Sequence, residues 1–206
     1  MRSYTFLIAF AAMLAWAPLA HSMTVGSDFG FQIKLPDNWT AISKSDVRTK
    51  PGIIKGTFEA AEKDKTLSDL PRDLYSKVKE MVAGGEVEYY YKNTSPQFNI
   101  SVYEDTGTIA QSGSDVKETC SLLPNELSKA IQKPVTVHEC TSKLIGNVNA
   151  LYVVVDGPRQ GEKYAQYLIQ KSPKRILMLT ATPSNGKDFE AMRSEFDEIM
   201  KSFKLM

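Results

Sequence analysis

Between residues 135 and 182 the chain holds four apolar, β-branched runs: 135-VTVHEC-140, 144-LIGNVNALYVVVD-156, 163-KYAQYLIQK-171 and 176-ILMLTAT-182. The polar links 157-GPRQGE-162 and 172-SPKR-175 join the last three. Links this short connect antiparallel neighbours, because a parallel return needs a crossover of about a dozen residues or more. The C-terminal half therefore reads as an antiparallel meander.

A two-faced helix follows the meander. Phe189, Met192, Phe196, Ile199 and Phe203 recur at steps of three, four, three and four, which draws one apolar stripe. Burying five such side chains is worth roughly 8–15 kcal/mol gross. Glu190, Arg193, Asp197, Glu198 and Lys201 fall on the other face, with Asp197 and Lys201 at ion-pair spacing. The stripe predicts a helix laid on one face of the sheet, capped at Ser184 or Asn185 just after Pro183.

The N-terminal half reads as further strands and helices. In 29-FGFQIKLPDNW-39, Phe31, Ile33 and Leu35 alternate with Gln32 and Lys34, the pattern of a half-buried strand that ends at Pro36. Residues 53–60 make a weaker strand. A helix capped by Ser68 or Asp69 follows, carries Leu74, Val78 and Met81 inward, and stops at Gly84-Gly85. A hairpin over 86-EVEYYYKNTSPQFNISVYED-105 is expected to pair Tyr91 with Phe98, Tyr89 with Ile100 and Val87 with Val102. That register keeps the apolar sets on one face, since a one-residue slip would turn one of them out. It leaves Tyr90 and Tyr103 on the opposite face. Residues 115–131 then give a helix with Val116, Cys120, Leu123, Leu127 and Ile131 inward, and Pro124 predicts a kink or break in it.

The chain starts 1-MRSYTFLIAFAAMLAWAPLAHS-22. Arg2 supplies a positive start, the apolar run from Phe6 to Trp16 is too short to span a bilayer of about 30 Å, and Ala20 and Ser22 suit a cleavage site. Residues 1–22 thus read as a secretory signal peptide and residues 23–206 as a single α+β domain, exported to a periplasmic or secreted location. Removing the leader takes away Arg2 and leaves 24 basic and 24 acidic residues. That balance argues against nucleic acid or an anionic membrane surface as the main partner, as both select a basic excess. Two cysteines remain, Cys120 and Cys140. Export to an oxidising compartment favours a disulfide between them, worth about 3 kcal/mol in the chain-entropy view. Two separate buried thiols are the alternative; a metal pair lacks further ligands at the right spacing.

The "GFQIKLPDNW" strand and the closing "ILMLTATPSNGKDFEAMRSEFDEIMKSFKL" together resemble the PsbP-like and DcrB-like α/β/α sandwich superfamily. The resemblance covers most of the exported chain in element order. It implies a central antiparallel sheet flanked by about three helices. Its members include periplasmic envelope proteins, photosystem extrinsic subunits, Ran-binding proteins and secretion chaperones, so the resemblance implies binding and assembly roles. No functional residue of that superfamily maps onto this chain by motif.

Signatures of chemistry are few. HExxH, CxxC, GxSxG and GxGxxG are absent, and 157-GPRQGEK-163 has the wrong spacing for a phosphate loop. No cofactor, metal-ligand or catalytic set is expected. His138 is the one histidine left after export. It precedes Glu139 on a strand, so the two side chains point to opposite faces and cannot pair. Tyr90 and Tyr103 form a possible partner surface unless a helix covers that face. The expectation is a non-enzymatic binding or assembly module with an envelope protein partner. The alternatives are a small periplasmic hydrolase with His138 as base, and a carrier of a small apolar ligand between helix and sheet.

Overall fold

In a computed structural model, residues 22–49, 80, 84–93, 95–110, 113–157, 161–183 and 188–206 are described. The strands among them are β1 Ser22–Ser27, β2 Phe31–Pro36, β3 Trp39–Ile42, β4 Val87–Lys92, β5 Ser95–Thr106, β6 Val137–Ile145, β7 Val148–Asp156, β8 Lys163–Ser172, β9 Arg175–Thr182 and β10 Lys204–Leu205. The helices are α1 Lys44–Thr49, α2 Gly113–Ile131 and α3 Phe189–Lys201. The expected leader up to residue 21, the strand over 53–60 and most of the helix beginning near Ser68 lie outside the described residues; the last helix has Asp188 at its N-cap, not the expected Ser184 or Asn185. Ser22, the last residue of that expected leader, already lies in β1 opposite Pro36.

The meander is present. Seven antiparallel strands run in the order β3-β4-β5-β9-β8-β7-β6. Four antiparallel steps separate β5 from β6, so these two strands run parallel. A tight turn cannot join them, and α2 makes the crossover. Val116, Cys120, Leu123, Leu127 and Ile131 of α2 pack on Leu151, Val153 and Val155 of β7. That is the stripe read from the sequence. The helix runs unbroken through Pro124.

The opposite face of the sheet is covered by α3 and by a small second sheet, ordered β1-β2-β10. Here the early strand departs from the expectation of one central sheet. Phe31, Ile33 and Leu35 alternate inward as read, but from this separate layer. Phe203 continues the α3 stripe past the helix end and stacks on Phe31, with centroids 5.2 Å apart. Strand β7 is buried on both faces: Ala150, Tyr152 and Val154 face α3, while Leu151, Val153 and Val155 face α2. The molecule is an α+β sandwich with helical cover on both faces of an antiparallel sheet.

Two readings need correction. The run 144–156 is not one strand. Gly146 and Asn147 form a two-residue turn between β6 and β7, with Ile145 opposite Val148. Gly146 has φ +54°, and a Cβ there would lie 2.1 Å from the Phe203 carbonyl oxygen. The turn therefore needs glycine twice, for its backbone and for the C-terminal chain that crosses it. The β4–β5 register is also one residue from the expected one. Tyr90 opposes Ile100, Glu88 opposes Val102 and Val87 opposes Tyr103. The apolar-matching argument failed because Glu88, the residue it sent to solvent, is satisfied inside the protein.

Candidate functional site

Three groups of polar side chains are candidates for chemistry. The first surrounds Glu88, which is fully buried. Ser27 Oγ donates to Glu88 Oε2 at 2.6 Å, the Asp28 amide to Oε1 at 2.8 Å and the Lys44 amide to Oε1 at 3.4 Å. The Tyr90 hydroxyl also donates to Oε2. One carboxylate thus ties the β1–β2 turn, the start of α1 and β4 together. Burial, then the charge of Glu88, pushes the Tyr90 phenol far above its ordinary pKa. Tyr90 is therefore a neutral donor in the core, not a surface aromatic. Tyr103 sits on the opposite face of the sheet and is half-buried. Burial, with a smaller contribution from Asp105, raises its pKa to about 12. The two tyrosines do not share a face, so the expected paired surface does not form.

The second group fills the seam between α3 and the strands β6, β7 and β8. Tyr167 donates to Asp197 Oδ1 at 2.6 Å, and Lys143 donates to Asp197 Oδ2 at 3.1 Å. Asp197 therefore serves the sheet rather than Lys201, which pairs with Glu198. Arg193 reaches Glu139 at 2.6 Å. The Lys143 ammonium lies 3.3 Å from the centroid of the Tyr152 ring, and the Arg193 guanidinium 5.5 Å from it. Two cations thus flank one buried ring, and two carboxylates balance them. The Tyr152 hydroxyl is buried with no hydrogen-bond partner among the described residues. Burial and then Asp197 raise the pKa of both Tyr152 and Tyr167, although the order of the smaller contributions differs.

The third group lies on β6, one of the two edge strands of the large sheet among the described residues. His138 is the extra residue of a β-bulge, because Val137 opposes Val155 while Glu139 opposes Val154. The bulge swings the imidazole onto the end of β7, where Nε2 sits 2.6 Å from Asp156 Oδ1. The Thr136 amide donates to Asp156 Oδ2 at 2.9 Å. Partial burial pushes the Asp156 carboxyl up, but the hydrogen bonds from His138 and Thr136 outweigh it and hold its pKa below the ordinary carboxylate value. Glu139, opposite Val154, faces α3 and bonds Arg193; the bulge breaks the strict alternation on which the sequence reading of His138 and Glu139 rested. Asp156 escaped the sequence reading. Counting back from the Gly146-Asn147 turn would have placed it within one residue of His138.

The disulfide between Cys120 and Cys140 is formed, with Cα atoms 5.6 Å apart, and it fastens α2 to β6. Strand β6 is thus held by a covalent bond on one face and by two ion pairs to α3 on the other. Leu144, near its end, is 71% exposed. An open groove beside the end of α2 is lined by Asn125, Ser128 and Lys129. Among the described residues no group of three or more histidine, cysteine or acidic side chains is arranged for a metal ion. No described helix is long and apolar enough to cross a membrane.

The sandwich is a PsbP-like fold. The chain is similar to the solution structure of cyanobacterial PsbP (CyanoP) from Synechocystis sp. PCC 6803, at 10% identity and a TM-score of 0.52, over 93% of this chain and 96% of that one. It is also similar to the immunity protein TplEi of the T6SS from Pseudomonas aeruginosa, in complex with a peptide, at 10% identity and a TM-score of 0.44, over 89% of this chain and 98% of that one. No protein-family model and no curated protein sequence matches the chain.

Proposed function

We propose that this chain is an exported, non-enzymatic binding or assembly module that acts on a protein partner outside the cytoplasm. The observation that carries the reading is Leu144. A large apolar side chain stands 71% exposed on an outermost strand that is held rigidly from both faces. Leu144 is the most exposed of the four large apolar side chains left open among the described residues, and a rigid support suits it to serve as an anchor for a partner. The disulfide fits an oxidising compartment. The PsbP-like fold fits such a role but does not specify one. The charged groups of the α3 seam and the Glu88 knot are consumed in fastening layers together.

A hydrolase is the second reading, favoured by one contact. Asp156 orients His138, and an oriented imidazole is half of a general-base arrangement. Its other ring nitrogen receives no hydrogen bond from a described residue. Complementation of a deletion strain separates the two readings. The binding reading expects Leu144→Asp to abolish rescue and His138→Gln to retain it, each with an unchanged melting curve. The reverse pattern establishes the hydrolase.

A further inference from the structure

The helices α2 and α3 are seated unequally on the sheet. Phe189, Met192, Phe196, Ile199 and Met200 of α3 are all buried, and the Glu139–Arg193 and Lys143–Asp197 pairs fasten that helix to β6. The inward stripe of α2 is shallower. Val116 is buried, whereas Leu123, Leu127 and Ile131 are only partly buried against β7, and Leu122 is 53% exposed. Pro124 gives up one backbone hydrogen bond inside the helix. Just past the helix end, Gln132 has φ +60°, a left-handed conformation that is unfavourable for a residue with a Cβ and that glycine usually supplies there. One covalent bond spans these features. Pro124 and Gln132 both lie inside the loop closed by Cys120 and Cys140, and the two cysteines are partly exposed rather than enclosed in the core.

We propose that α2 is a flap clamped onto the sheet by the Cys120–Cys140 bond, and that a dithiol reductant releases it while the strands and α3 stay packed. A thiolate of the reductant attacks one protein sulfur, forms a mixed disulfide with it and expels the other cysteine as a thiolate. The second thiol of the reductant then displaces the first cysteine. The reductant leaves as its own disulfide, oxidised by two electrons, and its two protons end on Cys120 and Cys140. Gln132 is the hinge, because lifting α2 lets its backbone leave the left-handed region. The apolar core explains why the rest holds. It divides into a large cluster under α3 and the small sheet, and a smaller one between α2 and the outer face of β7. Only the smaller cluster depends on α2, so it can open as a unit of its own. Opening bares Leu151, Val153 and Val155, which are 3%, 2% and 6% exposed when the flap is closed. Strand β6 keeps its ion pairs to α3 throughout. The device is independent of any partner that docks at Leu144.

The test is amide hydrogen exchange of the purified protein, read peptide by peptide in native buffer with and without dithiothreitol. Reduction should speed exchange across α2 by roughly tenfold or more, while β8, β9 and α3 keep their protection. A dye that binds apolar surface should respond to the reduced form alone. The double variant Cys120→Ser/Cys140→Ser should show the reduced pattern without reductant and no response to it. Gln132→Gly should slow α2 exchange in the reduced protein by about fivefold, since glycine removes the left-handed penalty that favours opening. Exchange in α2 that reduction leaves unchanged overturns the proposal. So does protection lost through the whole chain at once, a bond that dithiothreitol opens only in denaturant, or a Gln132→Gly flap that opens as readily as the native one.

Discussion

Tyr152 and Tyr167 lie side by side with centroids 4.8 Å apart, yet their hydroxyls have opposite fates. The Tyr167 hydroxyl donates to a carboxylate, whereas the Tyr152 hydroxyl is buried without a partner among the described residues. A buried unsatisfied hydroxyl costs about 1–3 kcal/mol, and a hydrogen bond to a charged group contributes about 1.5–3 kcal/mol. Tyr152→Phe is therefore expected to leave the chemical denaturation midpoint unchanged or raise it, and Tyr167→Phe to lower it. Asp156 makes a prediction about pH. Its pKa is lower folded than unfolded, so its contribution is present above the ordinary value of 3.8 and is lost as pH falls through that value and below. The stability gap between the native protein and Asp156→Asn should narrow as pH falls below about 4, as denaturation midpoints at each pH will read. At this scale the sequence was least legible. His138 was visible, but its partner depended on a bulge, and burial of Tyr90 depended on Glu88 finding four donors inside the fold.

Among the elements, α3 was the most legible, because an apolar stripe at helical spacing has few alternatives. Phe189, Met192, Phe196, Ile199 and Phe203 are all buried as read. Phe196 is fully enclosed and meets Tyr167 edge-on at 5.2 Å. Phe196→Ala should cost about 3–5 kcal/mol by denaturant titration, and Glu198→Ala on the exposed face no more than about 0.5. The β6–β7 hairpin makes a second prediction. Gly146→Ala meets both a left-handed backbone and the Phe203 carbonyl. It should destabilise by at least about 1–2 kcal/mol, while Asn147→Ala in the same turn changes the midpoint far less. The hairpin was hidden in the sequence because Gly146-Asn147 sits inside a continuous β-branched stretch. The α2 stripe was correctly read; the expected break at Pro124 is not seen, since that residue gives up one backbone hydrogen bond while its helix stays anchored by Cys120 and the apolar contacts around it.

At the scale of the whole molecule, two helices and a small sheet enclose a seven-stranded antiparallel sheet, and the fastenings converge on β6. Cys140 ties it to α2, while Glu139 and Lys143 tie it to α3. Order along the chain was enough to anticipate the meander, because short links dictate antiparallel neighbours, while the sandwich was implied by the PsbP-like resemblance. It was not enough to anticipate that the first strands form their own layer, which depends on Phe203 returning to stack on Phe31. Nor could a sequence pattern reveal Leu144 as exposed, since it adjoins Ile145, an apolar residue that is buried. The central claim is that this molecule works by binding a protein through the β6 surface. Site-specific photocrosslinking in intact cells tests it most directly, with the photoreactive residue placed at Leu144 or, as a control, at the exposed Asp37 on the β2–β3 link. A discrete heteromeric adduct is expected from position 144 and none from position 37. Equal adducts from both positions, or none from position 144 in cells where the protein is functional, would contradict it.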